Sequence, residues 1–192
     1  MAESKVHRKT VRHYDEPGHV HELTFSCYQR RPLLTNDRWR TMLGEAVDRA
    51  HERHRYRLVA YVFMPEHVHL LTFAEADASK VSDLLRAIKR PFSYRIKQLL
   101  TEANSPLLDG LTVRQRPGVQ AFRFWQEGGG YDRNLTEAET IGAAIDYIHM
   151  NPVRRGLVPL TNEWRWSSAS FYIDGEQQTP PTVDALPWEH TE

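Results

Sequence analysis

The chain has 192 residues, with 40% hydrophobic and 26% charged side chains and no net formal charge. That length suits one domain with a real core and excludes a second full domain. No apolar run is long enough to span a membrane. The polar N-terminus has no apolar core and no cleavage pattern, so secretion is not expected, and the lone Cys27 rules out an internal disulfide or a multi-cysteine zinc site. Together these features point to the cytoplasm.

Residues 1–17 are polar and are expected to form a flexible segment ahead of a domain over 18–173. His19 to Gln29 alternates as a strand, with Val20, Leu23, Phe25 and Cys27 as its apolar members. The Thr35-Asn36-Asp37 cluster starts a helix that runs to about His54. Tyr56 to Met64 is a second strand, rich in β-branched and aromatic residues. Pro65-Glu66 makes a tight turn into a third strand, His67 to Phe73, hairpin-paired with the second.

Ala78 to about Thr101 forms a long helix, which Pro91 should kink. Residues 103–118 read as a loop. Ala121–Gln126 and Tyr131–Leu135 read as a hairpin around three glycines. Thr136 and Glu139 form a capping box for a last helix, expected to stop at Asn151-Pro152. Residues 174–192 form an acidic, proline-containing tail expected to be irregular. This order of elements predicts an α+β fold of the ferredoxin-like kind, an antiparallel sheet packed with helices.

Charge is unevenly spread. Residues 79–125 hold nine Lys/Arg against three Asp/Glu, whereas 173–192 hold five Asp/Glu and no Lys/Arg. The basic candidates for phosphate contact are Arg86, Lys89, Arg90, Arg95, Lys97 and Arg123, with Arg154 and Arg155 after the last helix. Phe92, Tyr94, Phe122, Phe124 and Trp125 lie near them, and cations mixed with rings suit single-stranded nucleic acid. The plainer reading is a solvated helix face over core aromatics.

His67 and His69 share one face of a strand while Val68 points away. Two neutral imidazoles so placed can reach one divalent ion. His19 and His21 have the same form, and strand geometry alone does not separate the pairs. The second pair is favoured because it follows a tight turn on an expected central strand. Tyr147 flanks the apolar stripe of the last helix, with Asn151 one turn on. The plainer reading is a half-buried tyrosine and a helix-ending asparagine. The chemical reading is a phenol nucleophile beside a metal, needed because a phenol with a pKa near 10 is sluggish. No GxxxxGK(S/T) loop, GxSxG elbow or HExxH helix is present. A cupin, which also uses HxH, would need many short strands in place of these helices.

Four segments in this order resemble the single-tyrosine HUH transposases of the IS200-like kind, and most of all the REP-associated tyrosine transposases. They are Val62-Phe63-Met64-Pro65-Glu66-His67-Val68-His69, Phe124-Trp125-Gln126, Asp146-Tyr147-Ile148-His149-Met150-Asn151-Pro152-Val153, and Trp164-Arg165-Trp166-Ser167-Ser168. The resemblance covers roughly His19 to Tyr172. It implies the HUH endonuclease fold, with His67, His69 and Asn151 as metal ligands and Tyr147 as nucleophile. It leaves His19 and His21 without a ligand role. It also implies Mg²⁺ or Mn²⁺ as cofactor and single-stranded or hairpin DNA as partner. The implied reaction is cleavage and rejoining beside hairpins through a 5′-phosphotyrosine, by a monomer in preference to a homodimer. The alternative is a domesticated, non-catalytic hairpin-binding protein of the same fold.

Overall fold

The computed structural model describes residues 16–177 and 179–184. The expected flexible segment therefore lies outside the described residues, apart from its last two. In chain order the elements are β1 (Val20–Ser26), α1 (Asp37–His54), β2 (Tyr56–Phe63), β3 (His67–Ala74), α2 (Val81–Glu102), α3 (Leu107–Leu111), β4 (Thr112–Arg116), β5 (Val119–Phe122), β6 (Tyr131–Leu135), α4 (Ala138–Arg154) and α5 (Ala169–Asp174).

The main sheet has the order β2-β3-β1-β6, and every neighbouring pair is antiparallel. This is the expected ferredoxin-like sheet. One face carries α1 and α2, packed on Leu23, Phe25, Val68 and Leu70. The other carries α4, whose Ile141, Ala144, Ile145 and Ile148 pack on Val20, Val62, Leu71 and Leu135. Helices on both faces explain why β2 and β3 read as nearly unbroken apolar runs.

The strand over His19–Gln29 is shorter than expected. It ends at Ser26, because Gln29 and Arg30 both take positive φ in a tight turn. Helix α1 starts as expected, with the Asn36 side chain accepting from the Trp39 amide at 3.2 Å. Helix α2 runs unbroken through Pro91.

Residues 103–118 are not a loop. They hold α3 and β4, and β4 pairs with β5 across Pro117-Gly118, where Gly118 has φ +74°. The expected hairpin of 121–126 with 131–135 does not form. β6 instead pairs with β1 at the edge of the main sheet. Gly130 permits this: a Cβ there would sit well inside contact distance of the Thr24 carbonyl oxygen.

The capping box is not made. Helix α4 starts after Glu137, and no side chain caps it. Nor does α4 stop at Asn151-Pro152; it continues to Arg154. Pro152 has no N–H for the Ile148 carbonyl, and the Asn151 side-chain amide lies 3.5 Å from that oxygen and donates to the Tyr147 carbonyl at 2.8 Å.

The segment after α4 seals the outer edge of β2. Phe63 N donates to Trp166 O at 2.8 Å, Tyr61 N to Ser168 Oγ at 2.9 Å, and Trp164 Nε1 to Phe63 O at 3.2 Å. Of the expected irregular tail, residues 178 and 185–192 lie outside the described residues; Asp174 ends α5, and 175–177 and 179–184 are irregular in backbone and tied to the body of the domain. Asp184 N donates to Leu58 O at 2.7 Å and Thr182 N to Asp48 Oδ1 at 2.7 Å. This stretch thereby covers an otherwise unpaired strand edge.

Candidate active site

Strand parity and register build the site. Thr24 stands opposite His69 and Ser26 opposite His67, so all four side chains share the α4 face of the sheet. Helix α4 leaves this part of the sheet open. The result is a cleft of about 990 Å³ lined by His67, His69, Thr24, Arg30, Tyr147 and Asn151, among others. Tyr147 is 44% exposed. Its ring meets the His69 ring edge-on, with centroids 5.8 Å apart. The Arg154 guanidinium lies 5.2 Å from the centre of the Tyr147 ring.

The two imidazoles converge. His67 Nε2 and His69 Nε2 are 3.0 Å apart, and both residues are 6% exposed. His69 Nδ1 lies 2.8 Å from Thr24 Oγ1. His67 Nδ1 lies 3.2 Å from Glu66 Oε1, a close contact without hydrogen-bond alignment. The same Glu66 oxygen accepts from Arg155 Nη2 at 2.6 Å.

With the proton on Nδ1 of both rings, two Nε2 lone pairs face each other, and a cation would relieve that contact. Burial holds His67 below its ordinary value, with the charges of Arg30 and Arg155 acting in the same direction. Burial, then the charges of His67 and Arg30, push His69 down to about 3. Both rings are therefore neutral at physiological pH, as metal ligation requires.

The donor set fits a divalent ion. The Asn151 amide nitrogen serves the helix, so Oδ1 is the atom that could serve a metal. Among the described residues, no group of three His, Cys, Asp or Glu could hold a metal. Water in the open cleft would have to complete the shell. Two imidazoles suit Mn²⁺ better than Mg²⁺, which prefers oxygen donors.

The two HxH pairs lie on different faces. His21 is fully buried on the α1–α2 face, 3.1 Å from Asp132 Oδ1. His19 sits near Glu16 and Asn134. His149, also in the α4 motif, turns inward, with Nε2 2.8 Å from Ser168 Oγ.

The basic candidates divide into separate groups. Arg155 lines the cleft, and Arg154 lies against the Tyr147 ring. Arg86, Lys89, Arg90 and Arg123 line a shallow groove with Phe122 and Trp125, on the α1–α2 side of the sheet. Lys89 lies 4.6 Å from the centre of the Phe25 ring, and burial pushes it down to about 8. Arg95 lines a groove against α1, and Lys97 is exposed on α2. Of the aromatics, Phe92, Phe124 and Trp125 belong to the core, and Tyr94 stays exposed.

Residues 17–112 match the family model described as "Transposase IS200 like". The chain belongs to the IS200-like transposase family. The matched stretch holds the two histidines and ends before Tyr147. The chain is 25% identical over 158 residues to the REP-associated tyrosine transposase of Escherichia coli K12, covering 82% of this chain and 80% of that one. A Haemophilus influenzae relative of the REP-associated type is 24% identical over 130 residues, 68% of this chain and 67% of its own. A solved REP-associated tyrosine transposase bound to a REP hairpin superposes with a TM-score of 0.63 at 21% identity, over 96% of this chain and 98% of that one. At that identity the superposition speaks for the fold.

In this transposase, Thr24, Glu66, Arg30 and Arg155 were not legible from the sequence as neighbours of the histidines. Glu66 alone had a local signal, its place beside His67. Thr24 reaches the site only through strand pairing across 45 positions.

Proposed function

We propose that this transposase cuts and rejoins single-stranded DNA beside hairpins through a 5′-phosphotyrosine on Tyr147. The observation that carries the reading is the convergence of two neutral, buried imidazoles with the half-exposed Tyr147 phenol and Asn151 in one open cleft.

His67, His69 and Asn151 would hold Mn²⁺ or Mg²⁺, which when bound would draw charge from the scissile phosphate. Tyr147 Oη attacks phosphorus, the P–O3′ bond breaks, the phenol proton passes to water, and the leaving 3′ oxygen gains a proton from water. The new phosphodiester keeps the energy of the old one, so attack by a 3′-OH reverses the step without a nucleotide triphosphate. Thr24 orients the His69 ring, and the Glu66 carboxylate lies against His67. Arg155 holds Glu66 in place, which makes it a positioning residue in addition to any phosphate contact.

The groove around Lys89, Arg90 and Arg123 is a second place where the hairpin could lie, with its cations against phosphates. Among the described residues, no helix is long and apolar enough to cross a membrane, which fits work on DNA in the cytoplasm.

The test is a denaturing gel after incubation with labelled hairpin DNA carrying single-stranded flanks, with Mn²⁺ or Mg²⁺. The wild type should give a covalent protein–DNA band, and Tyr147→Phe should give none while binding the same DNA. An adduct of equal yield with the Phe variant would remove Tyr147 from the chemistry.

A further inference from the structure

We propose that Arg30 receives the scissile phosphate. This inference rests on the proposed cleavage by Tyr147. The first observation is how the residue is held. Gln29 and Arg30 have φ of 53° and 52°, a left-handed conformation that side chains with a Cβ seldom adopt and that clusters at functional sites. The turn is fixed from several directions. Tyr28 N donates to Phe124 O at 2.8 Å, Gln29 N to Gln126 Oε1 at 3.1 Å, and Arg30 N to Cys27 O at 2.9 Å. Cys27 N in turn donates to Glu66 O at 2.9 Å, directly before His67. Phe124 and Gln126 thus lock a strained turn that presents Arg30 to the cleft.

The second observation is that Arg30 lacks a partner among the described residues. The other arginines in and beside the cleft are engaged: Arg155 with Glu66, Arg133 at 4.0 Å from Glu22, Arg154 over the Tyr147 ring. Arg30 has no ion pair or hydrogen bond from its side chain among the described residues, yet it lines the same cleft as both histidines. Its charge bears on both imidazoles. A free guanidinium beside a cation-binding pair is electrostatically unfavourable until an anion enters between them.

The anion must be compatible with both a fork of N–H donors and a nearby nucleophile, and a phosphodiester is. Its two non-bridging oxygens match the guanidinium geometry. Negative charge on those oxygens grows as Tyr147 Oη bonds to phosphorus, so a fixed cation there favours the transition state. Arg30 lies on the loop wall of the cleft and Tyr147 on the α4 wall, which leaves the phosphate between them.

The test uses the full chain as Tyr147→Phe, without metal, so that only binding is read. Hairpin DNA carries a neutral methylphosphonate at each linkage of the single-stranded flank in turn. A parallel wild-type reaction with Mn²⁺ maps the cleaved linkage from its adduct. Arg30→Ala should weaken binding of unmodified DNA about tenfold. It should lose that effect only when the methylphosphonate occupies the cleaved linkage. Arg30→Lys should recover part of the affinity, since charge remains and the fork is lost. Both variants should melt with the wild type, because the side chain is exposed. An equal loss on every DNA, no loss, or coupling to another linkage overturns the assignment. Absence of any wild-type adduct sinks the Tyr147 reading and this one with it, and shows in the parallel reaction independently of the binding data.

Discussion

Thr24→Val tests the support of the proposed metal-binding pair while preserving side-chain shape. Thr24 Oγ1 lies 2.8 Å from His69 Nδ1, and His69 is only 6% exposed, so water cannot readily replace the lost acceptor. A buried donor left unpaired costs about 1–3 kcal/mol. For a chain of this size that corresponds to a fall of roughly 3–8 °C in Tm. Function should suffer more. Without the acceptor, the proton is free to move to Nε2, where it masks the lone pair a metal needs. Loss of such a supporting hydrogen bond weakens metal binding by about 10- to 100-fold. Isothermal titration with Mn²⁺ and a melting curve, on the same preparation at pH 7.5, read both effects. Mn²⁺ affinity within about twofold of wild type would refute the account of how His69 is oriented, whatever the melting curve does.

His67→Ala should abolish measurable Mn²⁺ binding with little loss of stability. His21→Ala should do the reverse, losing about 3 kcal/mol because it removes a fully buried imidazole and leaves a cavity under the sheet; urea melts and Mn²⁺ titration of both variants check the contrast. Burial pushes His51 and His149 to about 4 and His69 to about 3. Between these values and the ordinary 6.5 the native state binds fewer protons than the unfolded chain. Stability should therefore fall as pH falls through that window, by about 1.4 kcal/mol per pH unit for each ring. Urea midpoints in EDTA at pH 6.5 and pH 5 measure it, and equal midpoints would contradict it. Gly130→Ala should destabilise by at least about 3 kcal/mol and weaken Mn²⁺ binding, since its Cβ would drive into Thr24's carbonyl. Gly129→Ala, with open space around it, should stay within about 0.5 kcal/mol; matched melts of the two variants decide.

What the sequence determined by itself was short in range. The β2–β3 hairpin, α1 with its Asn36 cap, and α2 follow from patterns a few residues long, because alternation and helical spacing need no partner. The same local logic misread β5, whose partner β4 lies before it across Pro117-Gly118, and β6, whose partner β1 lies more than a hundred positions earlier. It also stopped α4 at Pro152, since the rescue of the freed Ile148 carbonyl by the Asn151 amide is a matter of side-chain direction.

The site divides in the same way. Parity alone places His67 with His69, and equally His19 with His21. Only the layering of helices decides which pair lies on the α1–α2 face, with His21 buried there, and which opens beside Tyr147. Thr24, Arg30 and Arg155 join the histidines through strand register, a left-handed turn and a helix end that approach from distant parts of the chain. Their roles arise from juxtaposition, and juxtaposition exists only once the apolar faces have packed.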